Sequence, residues 1–109
     1  MHRASIAHCD LKPDNVLLEP ILGPTGPFLR PLLTDFGVSR IVSQQPLAVK
    51  HFAVTHVKAA SMRYAAPEIV WTFMRQGELS TEPCIIFGGD VYAFALTLYE
   101  CLSRRRPWQ

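Results

Sequence analysis

Apolar residues in this chain come in short runs separated by polar or proline-rich stretches. Val16-Leu17-Leu18 is β-branched and apolar but too short for a helix, so it predicts a strand. Leu32-Leu33-Thr34 predicts a returning strand. Between them, residues 19–31 hold Pro20, Pro24, Pro27 and Pro31 with Gly23 and Gly26. That density predicts a loop or an extended hairpin tip without regular pairing. Residues 38–60 show mixed polarity and predict a long connection. Residues 67–74 predict a short helix, because proline is well tolerated in a first helical turn, and residues 75–89 predict a loop. The best helix signal covers residues 90–102, where Val91, Phe94, Ala95, Leu98 and Leu102 recur at helical spacing. Ala93, Leu96 and Cys101 make the other faces apolar too, so this helix is expected to be buried nearly all round. Asp90, following Gly88-Gly89, is expected to cap its start.

Composition narrows the class. A chain of 109 residues suffices for one small domain with a single core, and no internal repeat divides it. Its 49% hydrophobic and 18% charged residues describe a globular chain. A formal charge of +2 is too slight to argue for a nucleic-acid or lipid surface. Cys9, Cys84 and Cys101 are odd in number and form no C-x-x-C pair, so they read as reduced thiols of a cytoplasmic or nuclear protein. No signal-type apolar run follows Met1, and no stretch is expected to approach a membrane span.

The chemistry concentrates in His8-Cys9-Asp10-Leu11-Lys12-Pro13-Asp14-Asn15, just ahead of the first strand. A carboxylate, an ammonium and a carboxamide in one short loop suit phosphoryl transfer. The first can orient and deprotonate a hydroxyl, the second can neutralise charge on the moving group, and the third can ligate magnesium. Asp35-Phe36-Gly37 then places a second carboxylate at a strand end, ahead of an aromatic anchor and a flexible glycine. A third segment, Ser61-Met62-Arg63-Tyr64-Ala65-Ala66-Pro67-Glu68, closes the series.

These three motifs, in this order, resemble the catalytic loop, the D-F-G and the A-P-E segment of protein kinases. Residues 90–95 resemble the start of the family's central C-lobe helix, with Ala95 where the family has Gly. The resemblance implies an α+β, protein kinase-like fold with an incomplete C-terminal lobe: catalytic hairpin, activation segment and central buried helix. Within one partial kinase domain over 1–109, it implies a catalytic loop and strand over 1–19 and a proline-rich insertion over 20–31. The activation segment would cover 32–68, and C-lobe helices 69–109. It implies catalytic roles for Asp10 and Lys12. Lys12, Asn15, Leu17 and Asp35 would contact ATP, and Asn15 and Asp35 would hold Mg2+. Ser61 would bond the catalytic Asp and Lys, which points to serine or threonine substrates. His8, Phe36, Gly37, Glu68 and Asp90 would be structural, with His8 packed against Phe36 and Asp90 accepting bonds from the loop backbone near His8.

Departures from the family pattern carry expectations of their own. Cys9 stands where the family usually has an arginine that pairs with an activation-loop phosphate, and a thiol cannot make that contact. Ser39, Ser43 and Thr55 are nevertheless candidate phosphorylation sites. Ala48-Val49-Lys50 imitates the family's nucleotide-lysine strand but follows the D-F-G, so Lys50 is not assigned to ATP. The 109 residues hold no Gly-rich loop and no lysine strand ahead of the catalytic loop, so alone they are expected to lack kinase activity. The apolar helix would then be exposed to missing kinase segments or to a partner protein. Two functions follow: a piece of a serine/threonine kinase acting on protein substrates, or an inactive remnant serving as an interaction module.

Overall fold

The computed structural model describes residues 1–42, 61–75 and 82–108. Among the described residues, four strands form two separate antiparallel pairs: β1 (Ile6–Ala7), β2 (Val16–Gly23), β3 (Gly26–Leu33) and β4 (Arg40–Ile41). Two helices follow, α1 (Pro67–Met74) and α2 (Pro83–Ser103). Short 3-10 turns cover His2–Ala4, Pro13–Asn15 and Ser61–Tyr64.

The proline-rich stretch is regularly paired, against expectation. β2 and β3 run in register from Val16↔Leu33 to Gly23↔Gly26, around a two-residue Pro24-Thr25 turn. Proline spacing explains why. In an antiparallel ladder, alternate residue pairs exchange backbone bonds while the pairs between them point outward. The Thr34 amide donates to the Asn15 carbonyl at 3.0 Å, which fixes the phase. Pro20, Pro27 and Pro31 then all occupy outward positions, where a missing N–H breaks no rung. Gly26 takes φ +120°, a value strained for any side chain, and so completes the turn.

α2 begins at Pro83, so residues 83–89, expected to be loop, are helical. Asp90 therefore does not cap the helix; it lies in its second turn. Glu82 stands at the cap with no side-chain cap bond, and Pro83 supplies the first turn. α1 packs closely on the adjacent Gly89, where a Cβ would come within 2.9 Å of Ile69 Cδ1 and would make that side chain shift. Nor is α2 buried all round. Ile86, Gly89, Asp90, Ala93 and Thr97 form its buried stripe, while Val91, Phe94, Leu98, Tyr99 and Leu102 are exposed.

The core is small and sits on that stripe. Ala7, Val42 and Ile86 cluster with Phe87, and Leu11, Tyr64 and Ala93 cluster with Leu96. Among the described residues, seven hydrophobic side chains are buried and nineteen large ones are exposed. Much of the exposed set lies on the ribbon, where Leu18, Leu22, Leu29 and Leu33 share one face. One further expectation needs correcting: by length and composition alone, α2 is long and apolar enough to cross a membrane. Within it, however, Asp90 is buried and bonded to the loop at residues 8–9.

Candidate functional site

The loop carrying Asp10 is built on α2. The Asp90 carboxylate accepts the His8 amide at 2.7 Å through Oδ2 and the Cys9 amide at 2.8 Å through Oδ1. The His2 ring adds a third contact, Nε2 to Oδ2 at 2.9 Å, and lies against Phe87. His8 is wholly buried, its ring against Phe36 with centroids 4.9 Å apart. Its Nε2 meets the Thr34 carbonyl at 3.0 Å, and the Asp10 amide lies 3.4 Å from Nδ1. Those partners assign the proton to Nε2. Cys9 is thereby held at φ 64°, in the left-handed region that a residue with a Cβ occupies at a cost.

Beyond Cys9, the chain turns so that its polar groups converge. Lys12 is extended, Pro13 opens a 3-10 turn, and the Asn15 amide closes it on the Lys12 carbonyl at 3.0 Å. Asn15 thus looks back at Asp10: its Nδ2 donates to the Asp10 carbonyl at 2.7 Å and to Asp10 Oδ2 at 3.1 Å. Lys12 Nζ donates to Asp10 Oδ2 at 2.8 Å and to Ser61 Oγ at 2.9 Å. A buried ammonium requires such partners. Burial disfavours ionisation of Asp10, but bonds from Lys12 and Ser61, the Lys12 charge and the Asn15 bond outweigh it and hold the carboxyl below its ordinary value.

Asp35 follows the Asn15–Thr34 rung and is exposed, with φ 60°. Its Oδ1 lies 3.4 Å from the Gly37 amide, and Phe36 is half exposed above His8. Leu17 is 56% exposed on the ribbon face it shares with Glu19 and Ile21. Glu68 lies in the first turn of α1, and no ion pair holds its carboxylate among the described residues. The structure therefore brings Asp10, Lys12, Asn15 and Ser61 into one hydrogen-bonded group. Asp35 stands beside that group, and Glu68 stands apart. Ser43, Lys50 and Thr55 lie outside the described residues.

Some contacts around the loop escape sequence reasoning. The Tyr64 hydroxyl donates to Glu100 Oε2 at 2.5 Å; burial first and that bond second push its pKa up to about 12. The signal available was the Glu100 carboxylate within an apolar helix, which needs a partner. His2 on Asp90 left no such signal. Ser39, considered only as a modification site, donates from Oγ to the His8 carbonyl at 3.1 Å. Cys9 is exposed as a residue, yet burial of its thiol and then the Asp90 carboxylate raise its pKa to about 11, against an opposing pull from Arg40.

The protein kinase domain profile matches residues 1–109. The chain belongs to the protein kinase family. Its curated relatives include the serine/threonine-protein kinase PkaA of Streptomyces coelicolor, 34% identical over 107 residues, which are 98% of this chain and 16% of that protein. The carbon catabolite-derepressing protein kinase of Saccharomyces cerevisiae is also 34% identical, over 98% of this chain and 13% of its own length. The lectin-domain containing receptor kinase VI.3 of Arabidopsis thaliana is 32% identical over 94% of this chain and 12% of that protein. The chain thus spans about a sixth or less of the length of these relatives. These relatives are kinases by name, PkaA a serine/threonine-protein kinase, and that enzyme class uses ATP and Mg2+ on protein substrates. No solved structure matches the chain.

Proposed function

We propose that residues 1–109 are part of the C-terminal lobe of a longer serine/threonine protein kinase and carry the lower half of its ATP site. The observation that carries this reading is Lys12 Nζ bridging Asp10 Oδ2 and Ser61 Oγ. The bridge joins an ionised base, a cation for the phosphoryl group and a hydroxyl from the segment that would face the substrate. In this reading Asp10 orients the substrate hydroxyl and takes its proton, and Lys12 offsets charge on the transferred phosphoryl group. Leu17, apolar and half exposed, lies under the adenine.

Asn15 and Asp35 offer two hard oxygen donors on neighbouring strand ends, Asn15 having spent its Nδ2 on Asp10 and kept its amide oxygen. That donor set fits Mg2+, which takes few protein ligands and completes its shell with water and phosphate. When bound, the ion supplies charge neutralisation at the phosphates. His8, Phe36, Gly37 and Asp90 hold the loop. Glu68 is structural, and its partner lies outside residues 1–109. The units are those expected above, with residues 20–31 folded as the distal hairpin. In this reading the kinase acts in the cytoplasm, with its cysteines reduced.

The test is peptide phosphorylation by the longest natural product containing residues 1–109. Asp10→Asn should lower kcat by about 10²- to 10⁴-fold with serine and threonine peptides. Unchanged transfer, or transfer confined to tyrosine, overturns the reading. The exposed apolar set supports a second reading, an inactive interaction module. It predicts no transfer by that full product and no effect of Asp10→Asn.

A further inference from the structure

We infer that Ser39 is a positioning residue for Asp10; the inference rests on the catalytic reading above. The peptide unit joining His8 to Cys9 is held at both ends by different parts of the chain. Its N–H, on Cys9, donates to Asp90 Oδ1 of α2 at 2.8 Å. Its carbonyl, on His8, accepts the Ser39 hydroxyl at 3.1 Å. Ser39 is itself placed by its amide, which donates to the Phe36 carbonyl at 3.1 Å, and by the β1–β4 pairing that begins at the next residue.

This plane matters because Cys9 is left-handed, with φ 64°. The φ of Cys9 is the rotation between that peptide plane and the Cα that leads to Asp10. A left-handed conformation disfavours a residue with a Cβ, so strain pulls the plane toward other values. The Cys9 side chain forms no hydrogen bond among the described residues that could resist. Asp90 grips the N–H end alone, and a plane held at one end can still swing about that bond. Ser39 supplies the second point. Asp10 is the next residue, and a swing would displace its carboxylate from the reacting hydroxyl, where small misplacements lower rates strongly. The hydroxyl works as a donor: the His8 carbonyl accepts only, so an acceptor at position 39 would repel it.

The closing experiment uses the longest natural product containing residues 1–109, with Ser39→Thr, Ser39→Ala and Ser39→Asp measured beside Asp10→Asn. Ser39→Thr keeps the donor and should retain kcat. Ser39→Ala should lower kcat about 5- to 20-fold, with the KM for ATP and the melting temperature little changed. Ser39→Asp should fall further, by about 100-fold. The order Ser and Thr, then Ala, then Asp identifies a donor. Equal kcat for Ser39→Ala and wild type overturns the inference, as does a loss that follows the melting temperature or that Thr fails to rescue. If Asp10→Asn also leaves transfer unchanged, the catalytic reading fails instead.

Discussion

Asp90 offers the sharpest test of how the loop is held. Both carboxylate oxygens are acceptors, taking the amides of His8 and Cys9 at 2.7 and 2.8 Å, and the residue is 2% exposed. Asp90→Asn keeps the shape but replaces one acceptor with an NH2 donor. One of the two amides must then face a donor. An unsatisfied buried donor costs about 1–3 kcal/mol, and the other bond loses its charge assistance, so about 2–4 kcal/mol is expected. In a kinase-sized product that is a drop in melting temperature of roughly 4–15 °C. Asp90→Ala orphans both amides and should do at least as much damage. Thermal unfolding of the longest natural product, with hydrogen exchange read at the His8 and Cys9 amides, measures both effects. A plain helix cap predicts the opposite, because asparagine caps as well as aspartate. Asp90→Asn melting within 1 °C of wild type, with the two amides still protected, would refute the reasoning.

Four further predictions use other parts of the structure. The isolated 109-residue chain should show no measurable kinase activity; metal-dependent peptide phosphorylation by it, lost on Asp35→Ala, would contradict this. Tyr64→Phe removes the bond to Glu100 and should destabilise by about 1–3 kcal/mol, read by denaturant unfolding, and an unchanged midpoint would count against it. With its pKa near 11, Cys9 should react with iodoacetamide at pH 8 about 100-fold more slowly than an unperturbed thiol, and mass spectrometry should find Cys84 and Cys101 modified first. The Asp10 carboxyl sits below its ordinary value, so its contribution to stability is present above the unfolded pKa and lost as pH falls through the folded one. Lys12→Met removes the main lowering influences and should move acid unfolding to higher pH; a midpoint that stays or moves lower would refute the assigned cause.

What the sequence made legible was mostly local. Asp10, Lys12 and Asn15 stand within six positions, and one 3-10 turn folds them together. Ser61, 49 residues from Lys12, was reachable only through resemblance, since no local pattern carries a contact of that separation. The start of α2 was missed because Gly88-Gly89 reads as a breaker. In space, Ile69 of α1 packs closely on Gly89. The regular pairing through residues 19–31 was missed because proline density was weighed and proline parity was not. Three prolines in one alternating set are compatible with a ladder, whereas a single proline in the other set would have removed a rung.

The same geometry explains why so precise a loop stands on so small a core. The buried apolar groups form two clusters either side of Asp90, joined through α2 rather than to each other. Neither cluster includes Asp10 or Cys9. Orientation at those residues therefore comes from polar contacts: Asp90 behind the loop, Ser39 across it, and Lys12 with Asn15 in front. Apolar packing is tolerant of small shifts, but a hydrogen bond weakens steeply with angle, so a polar frame fixes a peptide plane more tightly than a few aliphatic contacts would. It also fails abruptly. Substitutions at Asp90 or Ser39 should alter the loop well before they alter the helix, whereas the exposed residues of α2, Val91 and Leu102 among them, should tolerate change.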